Sequence, residues 1–256
     1  MIEVKNMIPK NHPRYQSLLS RDKIVNAYKS GILADAGMIA HGRGEAFDYL
    51  IGEKTTKVAE NSIEAAAAAL ILAKDPVISV NGNTAALVPE HVVNLADILN
   101  AKIEINLFYR TPERVKAIWK VLKDHGAQEI LGTENEEFKH INGLDSPRGN
   151  VSPKGMYNAD VILVPLEDGD RTEALVKIGK FVIAIDLNPL SRTSKTASLT
   201  VVDNITRAIP CLIDKVNKLK NKDPEELKEL IDNFNNFSNL KESLKIMLNS
   251  IEEFEQ

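Results

Sequence analysis

Arg43 lies between two glycines, in the stretch His41-Gly42-Arg43-Gly44-Glu45. A guanidinium group has forked donors that fit phosphate or carboxylate oxygens, and the glycines let the backbone turn sharply or approach a ligand closely. The pattern predicts a binding site for a small anion. The alternative is a helix break between Met38 and Glu45, with Arg43 solvated at the surface.

A second group of anion-binding side chains comes earlier in the chain. Pro13 suits the first position of a helix, and at roughly 100° per residue Arg14, Ser17 and Arg21 share one face of it. Two segments that can bind anions therefore precede the first predicted strand. We predict that Arg14 contacts a substrate.

Polar residues also follow the first predicted strand, and ligands of parallel α/β sheets bind at the carboxyl ends of strands. Asn81, Asn83 and Thr84 predict a phosphate contact near a helix N-terminus, and the alternative is a tight turn. Neither G-x-x-x-x-G-K-[ST] nor a complete G-x-G-x-x-G follows this strand. P-loop ATPases and typical NAD dehydrogenases are therefore disfavoured.

The turn after Pro165 is rich in acidic residues. Asp168 and Asp170 are candidates for ligating Mg²⁺ or holding a substrate ammonium group. Alternatively, Asp168 and Gly169 form a turn, Asp170 caps the next helix, and Glu173 completes a capping box. The two interpretations are compatible, because a capped helix N-terminus can also face an anion.

The segment 186–196 is the strongest nucleotide candidate. Asp186 at a strand end can accept hydrogen bonds from ribose hydroxyls, while Arg192 and Thr193 can reach phosphates. A solvated loop is the alternative. The next predicted strand ends just before Asn204, which is either an adenine contact or a simple helix cap.

Three parts of one predicted domain must position these residues. Residues 1–74 form a helical preface, 75–220 a Rossmann-like α/β core, and 221–256 C-terminal helices. The core is expected to be a mostly parallel sheet of roughly six strands sandwiched by helices. The predicted strands are 76–80, 102–107, 129–131, 160–165, 181–185 and 199–202. The predicted helices of the preface are 13–30, 33–40, 45–51 and 61–74.

Residues 132–159 make a connection longer than is usual in a compact α/β domain. We expect a lid, a dimer arm or a disordered loop, and the glycine and proline content favours a folded loop. The segment 223–256 has helical apolar spacing, which indicates packing or dimerisation.

Composition excludes several classes of function. A formal charge of −4 argues against a protein held broadly on nucleic acid. Cys211 is the single cysteine, so an internal disulfide and a thiolate zinc site are both excluded, and the histidines lack zinc-binding spacing. No apolar run is long enough for a bilayer and no signal peptide is evident, so we expect a cytoplasmic protein without a membrane partner.

The sequence also contains no nucleophile elbow and no obvious acid or base. This absence fits chemistry that depends on positioning and charge neutralisation, as in phosphoryl or adenylyl transfer. No dedicated protein metal site is predicted.

Five stretches resemble one known family. They are Ile8-Pro9-Lys10-Asn11-His12-Pro13-Arg14-Tyr15, Gly42-Arg43-Gly44-Glu45-Ala46-Phe47-Asp48-Tyr49, Ser146-Pro147-Arg148-Gly149, Leu166-Glu167-Asp168-Gly169-Asp170-Arg171-Thr172-Glu173-Ala174-Leu175 and Asp186-Leu187-Asn188-Pro189-Leu190-Ser191-Arg192-Thr193. On these motifs the chain closely resembles the archaeal phosphopantothenate synthetases, also called 4-phosphopantoate–β-alanine ligases, over nearly its whole length.

This resemblance implies a homodimeric enzyme with a Rossmann-like core. It implies condensation of 4-phosphopantoate with β-alanine, with ATP consumed and 4′-phosphopantothenate, AMP and diphosphate formed, in coenzyme A biosynthesis. An acyl-adenylate intermediate is the expected route. The nucleotide contacts that the resemblance implies are Arg21, Arg43, Asp186, Leu187, Asn188, Arg192, Thr193, Asn204 and Ile205.

The reactants are anions, so we expect Arg21, Arg43 and Arg192 to act as charge clamps together with Mg²⁺. Arg21 and Arg43 are expected to fold over the turns at Asp186 and Arg192, which makes the preface one wall of the ATP site. The remaining assignments are Asn81, Asn83 and Thr84 to the phosphopantoate phosphate, and Asp168 or Asp170 to the metal or the β-alanine ammonium group.

Two other classes of function remain as alternatives. A nicotinamide-dependent oxidoreductase fits Asp186 at a strand end, although the glycine fingerprint is missing. A non-catalytic nucleotide-binding regulator fits the expected fold, because a fold alone does not determine chemistry.

Overall fold

The computed structural model describes residues 9–144 and 147–253. Two residues of the family motifs, Ile8 and Ser146, therefore lie outside the described residues, as do the first residues of the preface and the last three of the chain. Three helices come first: α1 (Tyr15–Lys29), α2 (Asp35–Leu50) and α3 (Lys57–Leu72).

The predicted break around Arg43 is wrong, because α2 runs through both flanking glycines without interruption. The neighbours of α2 hold this helix in place, and their contacts outweigh the low helix propensity of glycine. The predicted start of α3 is also wrong. The Thr56 side chain accepts a hydrogen bond from the Ala59 amide at 3.1 Å and caps the helix a turn before Asn61.

Alternating strands and helices form the rest of the chain. The strands are β1 (Val77–Val80), β2 (Lys102–Ile105), β3 (Lys139–His140), β4 (Asn150–Val151), β5 (Val161–Pro165), β6 (Phe181–Ile185) and β7 (Leu199–Val201). The helices are α4 (Gly82–Leu87), α5 (Pro89–Leu99), α6 (Pro112–Asp124), α7 (Gly169–Lys177), α8 (Arg192–Thr196), α9 (Ile205–Leu219), α10 (Pro224–Asp232) and α11 (Asn236–Glu252). Among the described residues, no helix combines the length and the apolar character needed to cross a bilayer.

Five of the strands form one parallel sheet in the order β2-β1-β5-β6-β7. This confirms the expected α/β fold with flanking helices, but the sheet has one strand fewer than predicted. Residues 129–131 contribute only a parallel bridge between Leu131 and Glu104. The chain moves outward from β1 to β2 and then returns to the other side of β1 as β5, so the strand order reverses between β1 and β5.

The two faces of the sheet are covered differently. One face, which includes Ile78 and Leu163, packs against helices such as α3, α5 and α9. The other face, which includes Ile162, packs against α7 and against the connection that contains Ile141 and Met156. The described part of 132–159 is therefore a folded layer with a β3–β4 ladder, as its glycine and proline content predicted.

The C-terminal helix protects the open edge of the sheet. Asn236 accepts a hydrogen bond from the Thr200 amide at 2.8 Å and donates to the Ala197 carbonyl at 3.1 Å. Asn239 donates to the Thr200 carbonyl at 2.7 Å. Helix α11 thus occupies groups on β7 that another strand would otherwise pair with.

Replacing Asn236 with alanine should lower the free energy of unfolding by about 1–3 kcal/mol, because the buried Thr200 amide loses its acceptor. Urea unfolding measures the change. Asn217→Ala is the control, since exposed Asn217 accepts only from the Lys220 ammonium. Equal losses in the two variants would show that this edge contact does not stabilise the protein.

Candidate anion-binding site

The carboxyl ends of β1 and β5 open into a cavity of about 340 Å³ where the strand order reverses. Such a reversal is the usual position of ligand sites in open α/β sheets, because the connections there leave in opposite directions. We call it the switch-point cavity. Its charged and amide-bearing lining residues are Arg43, Asn81, Asn83, Arg114, Arg148, Glu167 and Asp168.

Two of its three arginines, Arg43 and Arg114, form no ion pair within residues 9–144 and 147–253. The Arg114 guanidinium donates to the Ile32 carbonyl at 3.1 Å and to the Tyr109 carbonyl, so neutral acceptors hold it. Burial lowers the pKa of Arg114. Cations that no carboxylate balances favour an anionic ligand.

The third arginine, Arg148, belongs to a buried cluster of charges. Its Nη1 contacts carboxylate oxygens of Glu167 and Asp168. The other oxygen of Glu167 accepts from Arg171 Nη1 at 2.6 Å, and the Arg171 side chain is fully buried. Burial lowers the pKa of Arg148 and of Arg171 to about 10.

A buried carboxylate on β2 fixes the layer that carries Arg148. Glu104 accepts hydrogen bonds from the amides of Ser152 at 2.9 Å and Met156 at 2.7 Å. Gly155 permits this contact, because a Cβ there would lie 2.1 Å from a Glu104 oxygen. Burial raises the pKa of Glu104 to about 7, and the two amide bonds oppose this rise.

Helix α2 forms a wall of the switch-point cavity. It lies so close to Asn83 that a Cβ on Gly37 would be 2.7 Å from the Asn83 side-chain oxygen. Asn83 Nδ2 donates to the Gly37 carbonyl at 3.0 Å. Gly37 therefore lets α2 approach the cavity, and the sequence analysis did not identify it.

The same helix contacts the turn after β6. A Cβ on Gly44 would lie 3.5 Å from a Leu187 methyl carbon, which is ordinary contact. The positive charge of Arg43 acts to lower the pKa of Asp186, but burial outweighs it and raises that pKa overall. Arg43 and the Asp186 turn are thus neighbours within one chain, and the preface contributes a wall of the site.

The turn after β6 is ordered by its own polar groups. Asp186 accepts from the Asn188 amide at 2.9 Å and from the Ser191 hydroxyl at 2.5 Å. The buried Thr193 hydroxyl donates to the Glu167 carbonyl at 2.9 Å and ties this turn to the turn after β5. The predicted nucleotide segment is therefore a folded turn.

Arg192 is held by acidic residues of α7. Its guanidinium contacts Asp170 and Glu173, and these ion pairs raise the pKa of Arg192. The Arg192 side chain is 60% exposed. Water screens such exposed pairs, so another anion can displace them at little cost.

Arg14 and Arg21 face a different group of residues. Arg21 Nε donates to Glu45 at 3.0 Å and its Nη2 to the Tyr49 hydroxyl at 3.2 Å, while Arg14 contacts the same tyrosine. Contrary to the expectation from the sequence, Arg21 therefore does not lie over the turns at Asp186 and Arg192. It contacts Glu45 and Tyr49 instead, and Glu45 neutralises its charge.

A second cavity, of about 450 Å³, lies beside this group, and Arg14 and Asn204 both line it. Asn204 Nδ2 donates to Asp48 at 2.8 Å, and its side-chain oxygen accepts from the Thr206 amide as the cap of α9. Ile205 is buried in the core. Helix α2 separates this cavity from the switch-point cavity, and the predicted site residues Asp170 and Arg192 line a third cavity beside α7.

Two of the residues assigned to a substrate phosphate are committed to the fold. Asn81 donates to the carbonyls of Pro165 and Leu166 and accepts from the Thr84 amide and hydroxyl. Thr84 is fully buried, and Asn81 caps the short helix α4. Asn83 is the member of this group that keeps donor capacity at the cavity.

The predicted cap of α7 is wrong, because Asp168 and not Asp170 accepts the hydrogen bond from the Arg171 amide. Both Asp168 oxygens are used, one by this amide and one by Arg148. No three metal-ligating side chains come together in the part of the chain that the structure describes.

Sequence reasoning missed three lining residues, Arg114, Arg148 and Glu167. Arg148 and Glu167 were visible in the family motifs, but only the folding of the connection between α6 and β5 brings them together. No local sequence pattern indicated that Arg114 lines a cavity, because it lies on an amphipathic helix whose apolar residues have the usual helical spacing.

The fold is a parallel α/β sheet with an arginine-lined cavity at the reversal of its strand order, an architecture shared by many nucleotide-dependent enzymes. Residues 58–250 match the family model described as phosphopantothenate/pantothenate synthetase. The chain belongs to the phosphopantothenate/pantothenate synthetase family, which confirms the resemblance seen in its motifs.

Similar proteins carry one name. The 4-phosphopantoate--beta-alanine ligase of Thermococcus kodakarensis is 53% identical over 238 residues, which cover 93% of this chain and 90% of the relative. Its counterpart from Thermococcus onnurineus is 54% identical with the same coverage. That of Methanosarcina mazei is 54% identical over 93% of this chain and 92% of the relative.

The pKa of Glu104 predicts a pH dependence of stability. Folding raises this pKa from 4.5 to about 7, so the folded protein binds the proton more tightly than the unfolded chain. The stabilising contribution is complete below the unfolded pKa and is lost as pH rises toward 7. Glu104→Gln should flatten the unfolding free energy across this range.

The same variant should be less stable at pH 5 by about 1–3 kcal/mol, because the amide nitrogen cannot accept from a backbone amide. Urea unfolding between pH 4.5 and 7 measures both effects. Glu129→Gln, at an exposed position, serves as the control. A Glu104→Gln profile parallel to that of the control would contradict the assignment.

Proposed function

We propose that this protein is an ATP-dependent ligase that joins 4-phosphopantoate to β-alanine, with 4′-phosphopantothenate, AMP and diphosphate as products. Family membership and the names of its relatives support a ligase that forms a C–N bond. The observation that carries the proposal is the switch-point cavity, where two arginines have no carboxylate partner within the described residues. A nicotinamide-dependent dehydrogenase finds no support in the family.

The proposed reaction has two steps. A carboxylate oxygen of 4-phosphopantoate attacks the α-phosphorus of ATP, the bond from that phosphorus to the bridging oxygen breaks, and diphosphate leaves. The neutral amine of β-alanine then attacks the acyl carbon, AMP leaves with the bonding electrons, and the new nitrogen loses a proton. Both reactants of the first step are anions, so fixed cations must offset their repulsion.

We assign the switch-point cavity to 4-phosphopantoate. Its volume of about 340 Å³ lies at the small end of the range for ligand pockets. Arg114 and Asn83 offer donors there. The earlier assignments of Asn81 and Thr84 to the phosphate are not carried further, because their polar groups are used inside the fold.

We assign ATP to the adjoining region between α2 and the turns after β6 and β7. Arg43 is the central cation, since it lines the switch-point cavity and also acts on Asp186. The remaining nucleotide contacts that we retain from the resemblance are Arg21, Asp186, Leu187, Asn188, Arg192, Thr193, Asn204 and Ile205. Within that set, Arg21 has the weakest geometric support, because Glu45 holds it.

The proposal gives Arg192 two partners at different stages. Without nucleotide it pairs with Asp170 and Glu173, and with ATP it turns to the phosphates. Asp170, at 71% exposure, then becomes available to the Mg²⁺ carried by ATP or to the β-alanine ammonium group. We further propose a homodimer, as the resemblance implies. ATP consumption is a reason to expect the enzyme in the cytoplasm.

The first test uses the whole protein with ATP, Mg²⁺, 4-phosphopantoate and β-alanine. We expect AMP and diphosphate to form in equal amounts. Full turnover should occur only when both 4-phosphopantoate and β-alanine are present. Chromatography of the nucleotides measures this result. ADP and phosphate as products would indicate an acyl-phosphate route, and ATP binding without any turnover would favour a regulator.

Arg43→Ala should reduce diphosphate release by about 10²-fold or more, because the removed cation acts on charge that develops during adenylation. Arg43 is exposed and unpaired among the described residues, so the unfolding midpoint should not change. Lys218→Ala, at an exposed position that lines neither cavity, is the matched control. Diphosphate release by Arg43→Ala near that of the control would refute the clamp role.

A further inference from the structure

We infer that Arg148 binds the phosphate group of the substrate in the switch-point cavity, and that Glu167 and Arg171 are positioning residues that fix its guanidinium. This inference rests on the proposed function of the cavity and adds a role for three residues that had none. Its basis is a chain of contacts from the protein interior to the cavity wall, Arg171 to Glu167 to Arg148.

Burial distinguishes this chain of charges from ordinary surface ion pairs. The side chains of Arg171, Glu167 and Arg148 are 0%, 1% and 8% exposed. Taking charges out of water costs several kcal/mol per ion, and apolar residues of similar size often stabilise a protein as well or better. Stability alone therefore does not account for three charged residues here, whereas a fixed guanidinium at the cavity does.

Glu167 divides its two oxygens between the arginines. Oε2 accepts from Arg171 Nη1 at 2.6 Å, and Oε1 contacts Arg148 Nη1. Arg171 is fixed in turn from the other side, where its Nη2 donates to the Ser79 hydroxyl at 3.3 Å and contacts the Met156 sulfur. The orientation of Glu167, and through it that of Arg148, is thus set by the interior.

Arg148 keeps donors for a ligand. Its Nη1 is used by Glu167 and Asp168, whereas its buried Nε has no partner and its Nη2 makes no hydrogen bond to the described residues. Nη2 is the donor that a ligand oxygen can reach, whereas Nε is buried. The two nitrogens lie on one edge of the guanidinium plane, and an unsatisfied donor there favours an anion at that edge.

The charge around the cavity favours phosphate over a single carboxylate. Arg148 and Arg171 face two carboxylates, those of Glu167 and Asp168, whereas Arg43 and Arg114 have no carboxylate partner among the described residues. A phosphate monoester carries close to two negative charges at neutral pH and has three terminal oxygens. The substrate carboxylate is then left to react near Arg43, on the side of the Asp186 turn.

The experiment compares Glu167→Gln and Arg148→Lys with the wild type. Glutamine keeps the volume of Glu167 but cannot hold two guanidinium groups, and lysine keeps the charge at 148 but loses the planar fork. We expect both variants to raise the KM for 4-phosphopantoate at least tenfold while the KM for ATP stays within twofold.

Asp160→Asn is the matched control. Asp160 lies just before the amino end of β5, whereas Glu167 lies beyond its carboxyl end, and Asp160 accepts hydrogen bonds from the amides of Lys74 and Asp75. It should lower stability without a change in either KM. If Glu167→Gln behaves like this control, with a lower unfolding midpoint and normal KM values, the positioning role is overturned.

Calorimetric titration with 4-phosphopantoate and with pantoate separates the inference from the proposed function. The wild type should bind 4-phosphopantoate more tightly than pantoate, and both variants should reduce this preference at least tenfold. An equal loss of affinity for the two ligands would overturn the phosphate assignment. A wild type that binds neither ligand and forms no AMP would refute the proposed function itself. If Glu167→Gln does not fold, Arg148→Lys, at the cavity surface, decides between these outcomes.

Discussion

The carboxylate of Glu167 contacts two arginines, Arg171 and Arg148, in a nearly water-free part of the protein, and much of the structure follows from this contact. Because Arg171 and Arg148 both need this carboxylate, α7 and the layer before β5 must lie on the same face of the sheet. The connection between α6 and β5 is therefore packed and not free. Glu104 holds that layer from β2 with two further hydrogen bonds.

Helix α2 depends on the same arrangement. It crosses the carboxyl edge of the sheet, where Gly37 admits Asn83 and Gly44 meets Leu187. Its two faces line different cavities, one with Arg43 and one with Glu45 and Asp48. A break in this helix would leave the backbone at Arg43 mobile, whereas the continuous helix fixes that backbone next to the Asp186 turn. Fixed cations are more useful than mobile ones when charge develops in a transition state.

The local parts of the fold were predictable from the sequence, and the long-range parts were not. The bounds of β6 match the prediction, because an apolar run acts within a few residues. The break in α2 was wrong because packing against the neighbouring elements keeps that helix continuous, and the cap at Asp170 was wrong because Asp168, two residues earlier, caps α7. Asn83 and Asp168 follow strands as predicted, and Arg43 reaches the same cavity from α2, but the sequence around Arg148 and Arg114 does not indicate that these two residues join it.

The exposure of each arginine's ion pair also indicates which role that arginine can have. Arg192 is engaged by two carboxylates, yet it is exposed, and water screens exposed ion pairs. A triphosphate can therefore recruit Arg192 at little cost. Arg171 is also paired but fully buried, and the loss of its partner would leave an uncompensated charge that costs about 3–5 kcal/mol. Arg192 is thus suited to exchange partners during a reaction, and Arg171 only to hold one in place.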